Sequence, residues 1–232
     1  MGRSRTSPRV ATRVGTRGRT LVEVSGLSPF QHLVTRAFFD LPESRGFLLA
    51  GGGALLATGL TTRPTNDLDF FGSSQLAPLR EVVDSFIAHS QRRGWSVTEI
   101  QFSDTFARLV VTDDESLVVD IGIDSPAIAP VFLSEAGPTF ALDELAGRKL
   151  LALFDRAEAR DFADIYSLHT KFDKSTLLAR ASELDDGFDE AMFAMMIRTV
   201  RRFGPEDFHP GEDEFPAIVR FFSAWADEIS GT

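Results

Sequence analysis

The chain has 232 residues, 43% of them hydrophobic and none of them cysteine, and a formal net charge of −10. That apolar content supports a substantial core, in one large domain or two small ones. The missing cysteines exclude disulfides, thiolate metal sites and a cysteine nucleophile, and no apolar run approaches the ~18 residues that cross a bilayer.

The N-terminus lacks the apolar centre of a signal peptide, so a cytoplasmic protein without a membrane partner is expected. The charge is unevenly spread. Residues 1–22 carry six arginines (Arg3, Arg5, Arg9, Arg13, Arg17 and Arg19) and no acid. Rich in Ser, Thr and Gly with little to bury, this arm reads as disordered. It suits nucleic-acid binding, although a loose extension would look the same. The rest of the chain is strongly acidic, so a polyanionic ligand must meet a local basic patch.

Ser28-Pro29 has the pattern of a helix N-cap followed by a first-turn proline, predicting a helix through Phe39 that Pro42 ends. Residues 46–50 (GFLLA) read as a short buried strand and 54–60 as a helix begun by glycines. Residues 67–71 read as a strand. The spacing of Leu79, Val82, Val83, Phe86 and Ile87 predicts an amphipathic helix over 76–93. Strands follow at 96–102, 106–112 and 116–123, with Asp113-Asp114 as a hairpin turn between the last two. The character changes over 126–138. From Asp143 the periodicity is helical: 143–156, 160–169, 174–183, 188–203 and 215–229. The expected fold is α+β and bilobed, an α/β lobe over 23–140 and an all-helical lobe over 141–232.

Residues 51–71 (GGGALLATGLTTRPTNDLDFF) concentrate the chemistry. A strand turning into a helix through Gly51, Gly52 and Gly53 lets backbone N–H groups approach a phosphate. The spacing is neither a Walker loop nor GxGxxG, and a tight turn alone would also explain it. Asp67 and Asp69, two apart on a strand, point to one face. Left alone, one of them would have its pKa raised; Mg²⁺, which takes carboxylate and phosphate oxygens, resolves the conflict.

Asp120 interrupts the apolar run Leu117–Ile123 and is the expected third ligand, because a lone charge there needs a cation or a cleft. Asp124, its competitor, sits where a turn favours Asp. A glycine turn, Asp-x-Asp and a later strand Asp together describe a two-metal phosphoryl-transfer site. On the helices, Lys149, Arg156, Arg160, Asp161 and Asp164 form a polar stripe. Lys149 is read as binding triphosphate oxygens, with Asp161 orienting that lysine or the incoming hydroxyl; a salt-bridged helix surface is the plain alternative. His32, His89, His169 and His209 show no ligand spacing, and Phe38-Phe39 and Phe221-Phe222 read as core.

The series Gly52-Gly53-Ala54-Leu55, Arg63-x-Thr65-x-Asp67-Leu68-Asp69-Phe70, Lys149-Leu150 and Arg160-Asp161-x-x-Asp164 resembles the AbiEii/AbiGii nucleotidyltransferase toxins, including the MenT-type toxins. The resemblance spans about residues 47–168; Gly51 and the arginine-rich arm are not part of it. It implies a polymerase-beta-like nucleotidyltransferase N-lobe, a mixed sheet with flanking helices, and a helical second lobe. It further implies Mg²⁺-dependent transfer of a nucleoside monophosphate from an NTP to the 3′ acceptor end of tRNA, blocking translation, with a cognate antitoxin as partner. Carried over residue by residue, Asp67 and Asp69 are metal ligands, Arg63 and Lys149 hold the nucleotide, and Asp161 is needed for catalysis; Gly52 and Gly53, from the glycine turn, are read as lying against the nucleotide's phosphates. Thr65 stands where some cognate antitoxins place a phosphate, whose charge of about −2 beside two aspartates would exclude NTP and metal. Transfer to a protein or small-molecule hydroxyl, and a non-catalytic nucleotide-binding module, are the alternatives; the clustered acids argue against the second.

Overall fold

The computed structural model describes residues 26–73, 78–208 and 211–231. The arginine-rich arm, the first residues of the helix predicted from Leu76, and His209 lie outside these ranges.

Helix α1, Pro29–Phe39, begins as expected. Ser28 Oγ accepts from the Gln31 amide at 3.1 Å, and Gln31 Oε1 accepts from the Ser28 amide at 2.8 Å. This reciprocal cap satisfies two amides that the helix itself cannot bond. Strand β1, Leu48–Ala50, runs straight into α2, Gly51–Ala57. The helix therefore starts at the first glycine instead of at Ala54, because Gly51, at φ +57°, makes the turn.

Strand β2 (Asp67–Gly72), helix α3 (Leu79–Arg92) and strands β3 (Ser96–Phe102), β4 (Phe106–Thr112) and β5 (Ser116–Ile123) follow as predicted. The β4–β5 hairpin closes through the Asp113 amide and Glu115 carbonyl, 3.0 Å apart. Two further strands, β6 (Phe132–Ser134) and β7 (Gly137–Thr139), form a small hairpin where the sequence showed only a change of character. Three-residue strands, one of them holding Pro138, are too short to show alternation.

Helices α4 (Leu142–Arg156), α5 (Ala159–Leu168), α6 (Lys174–Leu184), α7 (Glu190–Arg198) and α8 (Phe215–Ser230) complete the chain. The single helix expected over 188–203 is in fact α7 followed by a 3₁₀ turn, Thr199–Arg202. There the Thr199 hydroxyl donates to the Met196 carbonyl at 2.6 Å, competing with the regular ladder.

The strands form one mixed sheet in the order β3-β4-β5-β2-β1-β7-β6. β2 pairs with β5 in parallel and β1 with β7 in parallel; the other pairs are antiparallel. Register places Ala50 opposite Asp69, Asp69 opposite Asp120, and Asp120 opposite Arg108, a single row across four strands.

Leu68 and Phe70 are fully buried on one face of β2. Phe70 stacks on Phe38 of α1 with ring centroids 4.0 Å apart, and Phe38 meets Phe86 of α3 edge-on at 5.7 Å. Alternation then sends Asp67, Asp69 and Phe71 to the opposite face, toward α4. The helical C-terminal part has its own aromatic core, with Phe162 against Phe222 at 4.9 Å and Phe193 against Trp225 at 5.2 Å. Phe38 and Phe222 are core, as expected. Among the described residues no helix is long and apolar enough to cross a membrane.

Candidate active site

Between the acidic face of β2 and helix α4 lies a cleft of about 240 Å³. Gly51 and Gly52 form one end, Asp67, Asp69, Arg108 and Asp120 the floor, and Arg63, Lys149, Arg156 and Arg160 the facing wall. The three strands that carry the floor, β4, β5 and β2, are consecutive neighbours in the sheet, so the backbone ladder fixes the relative height of these groups.

The three strand acids have different partners. Asp67 accepts a short hydrogen bond from the Thr65 hydroxyl and lies 3.7 Å from Arg160. Asp120 is nearly buried, and both its oxygens are taken by Arg108, at 2.8 Å from Nε and 2.7 Å from Nη2. Asp69, between them, receives no side-chain hydrogen bond among the described residues. Burial, followed by the charges of Asp67 and Asp120, pushes its carboxyl up to about 7. The floor thus carries more negative charge than the protein compensates.

Across the cleft an alternating chain of charges is fully connected. Arg156 grips Asp161 at two points, both 2.9 Å. Lys149 Nζ lies 2.8 Å from Asp161 and 2.7 Å from Asp164. Arg63, reaching over from the loop before β2, closes the chain with two 2.8 Å bonds to Asp164. Both acids are fully buried on α5, and Asp161 also caps that helix by accepting from the Glu158 amide at 3.3 Å. Burial alone would raise the Asp161 carboxyl; the Arg156 hydrogen bonds and the Lys149 charge outweigh it and bring the value down to about 2. The same contest, with burial opposed by Lys149 and Arg63, holds Asp164 below the ordinary carboxylate range. Asp161 and Asp164 therefore stay charged and aim three cations at the cleft.

The glycines have distinct jobs. A Cβ on Gly51 would sit 1.8 Å from Asp69 Oδ2, and one on Gly52 2.9 Å from Thr65 Oγ1. These two keep side chains out of the cleft. Gly53 does not line it; a Cβ there would meet Leu68 at 3.0 Å, so it serves the packing of α2 on β2. Thr65 is held from outside as well, its carbonyl accepting from the buried Gln31 amide at 2.8 Å.

Of the residues picked from the sequence, Gly52, Arg63, Thr65, Asp67, Asp69, Asp120 and Lys149 line one cleft, and Asp161 stands directly behind Lys149. Asp124 takes the turn role expected of it, accepting from the Ser125 amide at 2.7 Å and from Arg148 at 3.1 Å. Arg108 was missed. Its signal is an arginine alternating with the buried Ala107, Leu109 and Val111 in β4, which marks the cleft face only once β4 is known to adjoin β5.

Among the described residues no three acidic or imidazole side chains converge on one point, because Asp120 is turned to Arg108. The pair Asp67 and Asp69 nonetheless fits Mg²⁺, which takes oxygen donors from one or two protein carboxylates and completes its shell with water and substrate phosphate. The Asp69 carboxyl, raised by burial and by Asp67 and Asp120 more than Lys149 and Arg160 lower it, supports that fit.

Residues 32–217 match the family model described as nucleotidyl transferase AbiEii toxin, Type IV TA system. No curated protein sequence gives a match. Among solved structures, the chain is similar to JHP933 from Helicobacter pylori, at TM-score 0.53 and 16% identity over 89% of this chain and 96% of that one. It is also similar to MenT4, nucleotidyltransferase toxin Rv2826c from Mycobacterium tuberculosis H37Rv, at TM-score 0.54 and 18% identity over 88% and 90% of the two chains. At such identities the likeness is one of fold.

Proposed function

Because the chain belongs to the AbiEii family of nucleotidyltransferase toxins, we propose that it transfers a nucleoside monophosphate from an NTP to the 3′ acceptor end of tRNA. Translation is then blocked, and a cognate antitoxin neutralises the effect. The observation that carries this reading is the opposition, across one cleft, of Asp67 and Asp69 to the Lys149, Arg63 and Arg156 cations.

The residues divide the work. Gly51 and Gly52 leave the backbone open to phosphate, and Lys149, Arg63 and Arg156 meet its oxygens in fixed positions. Asp161 acts behind them by holding Lys149 and Arg156. Asp67 and Asp69, joined by Asp120, would hold Mg²⁺, two ions being expected from the sequence, and the metal would supply positive charge against that building on the transferring phosphoryl group. The 3′ hydroxyl of the acceptor attacks the α-phosphorus and pyrophosphate leaves, a displacement that depends mainly on positioning and charge. Thr65, whose hydroxyl already donates to Asp67, is the position where a phosphate from the antitoxin would switch the site off.

Incubating the protein with Mg²⁺, total cellular RNA and each labelled NTP separately, then sequencing RNA 3′ ends, tests the reading. Label on tRNA 3′ ends is the expected result, and Asp67→Ala should remove both the label and growth inhibition. Label on protein or on a small molecule would move the acceptor elsewhere. Undiminished toxicity of Asp67→Ala would refute the enzymatic reading.

A further inference from the structure

Three carboxylates stand on the floor of the cleft, and Arg108 is the only guanidinium among the described residues that hydrogen-bonds to any of them. Its partner is the deepest of the three: the Asp120 side chain is 7% exposed, whereas that of Arg108 is 47% exposed. The other cleft cations are committed elsewhere, Lys149, Arg63 and Arg156 to the two α5 acids and Arg160 chiefly to Glu158 at 2.8 Å. Register puts Asp120 directly beside Asp69 on the adjacent parallel strand. The floor is thus completed by a side chain that is long and half in water, gripping an acid that is nearly buried.

We propose that Arg108 is a detachable counter-ion, which occupies Asp120 while the cleft is empty and yields that carboxylate to a divalent cation held by Asp67 and Asp69. A guanidinium in a two-point grip mimics the charge of the ion but gives only one positive charge to a group of three acids. Releasing it costs the strand a charge-assisted pair and exposes a nearly buried carboxylate, so the metal alone meets an opposing step. The freed fork matches phosphate geometry, and it stays on the cleft wall, where a nucleotide can take it up. Arg108 is therefore a positioning residue that favours the metal when it arrives with a nucleotide.

The proposal rests on the metal reading above, and the test separates the two. Mn²⁺, without nucleotide, is titrated calorimetrically into wild type, Arg108→Ala, Arg108→Gln and Asp67→Asn. Arg108→Ala should bind Mn²⁺ about tenfold more tightly than wild type, equivalent to about 1.4 kcal/mol. Arg108→Gln, uncharged and of similar reach, should also bind more tightly and keeps the measurement available if the alanine variant aggregates. A merely structural role predicts the opposite, because loosening the sheet would weaken binding. Unchanged or weaker binding in the Arg108 variants, with wild-type binding still abolished by Asp67→Asn, overturns the counter-ion role alone. Mn²⁺ binding that Asp67→Asn does not touch, or no binding in any variant, overturns the metal reading beneath it.

Discussion

Replacing Asp161 by asparagine removes one buried charge from the α4–α5 network without changing the side chain's shape. In the folded protein the Asp161 carboxyl falls from an ordinary 3.8 to about 2. At about 1.4 kcal/mol per tenfold change in acidity, the ionised form contributes about 2–3 kcal/mol at neutral pH. Asp161 is fully buried, so solvent screening does not reduce this figure. Breaking a buried pair costs about 3–5 kcal/mol in general, but Arg156, at 44% side-chain exposure, can return to water and relieve part of it. A loss of about 2–3 kcal/mol is therefore expected, roughly a 5–10 °C drop in Tm for a chain of this size. Because the folded value lies below the unfolded one, the contribution is complete above about pH 4 and is lost as the pH falls toward 2. Urea unfolding of both proteins at pH 7, 5 and 3.5 measures it. The gap should hold between pH 7 and 5 and begin to narrow at 3.5. A variant within about 0.5 kcal/mol of wild type at pH 7, the size of an ordinary surface substitution, would refute the account of Asp161 as a buried anchor for two cations.

Gly51→Ala should be more damaging to activity than Gly53→Ala. At Gly51 the new Cβ would meet Asp69 Oδ2 at 1.8 Å and the φ of +57° strains any side chain, whereas at Gly53 it meets a flexible Leu68 methyl at 3.0 Å. Labelling assays on both variants, normalised to folded protein by thermal melts, decide it, and equal activities would contradict the assignment of Gly51 to the site. At Thr65, glutamate should abolish transfer by adding charge against Asp67, while valine, which lacks the hydroxyl donated to Asp67, should retain part of it. Intact-mass analysis after co-expression with the antitoxin should show one phosphate on wild type and none on Thr65→Val; a phosphate on both would place the switch elsewhere.

The local signals in the sequence were read well because they are local. Ser28-Pro29-x-Gln31 writes its own cap, Asp67-Leu68-Asp69-Phe70 writes its own two faces, and both stand as read. Pairing between distant strands was not written in this way. Nothing in residues 106–123 says that β5 lies parallel to β2 with Asp120 level with Asp69, and without that register Arg108 is one more arginine on a hairpin. The small β6–β7 hairpin fell in the stretch 126–138 that showed only a change of character, since three residues cannot show a period. The stripe Lys149, Arg156, Asp161, Asp164 was visible, but not its direction: on paper the acids and cations share the surface, whereas folded the acids are buried and the cations face the cleft.

That direction bears on what the cleft can bind. The chain is acidic overall, and every cation named on the cleft is engaged by an acid, Lys149, Arg63 and Arg156 sharing Asp161 and Asp164, Arg108 held by Asp120, Arg148 by Glu144 at 2.9 Å and Arg160 by Glu158 at 2.8 Å, while Asp67 and Asp69 add two further negative charges. A bare triphosphate approaching Asp67 and Asp69 finds fixed donors but no surplus positive charge. On the proposed function, binding then requires that the nucleotide bring its own counter-charge, so a complex of the nucleotide with a divalent cation should bind more tightly than the free nucleotide.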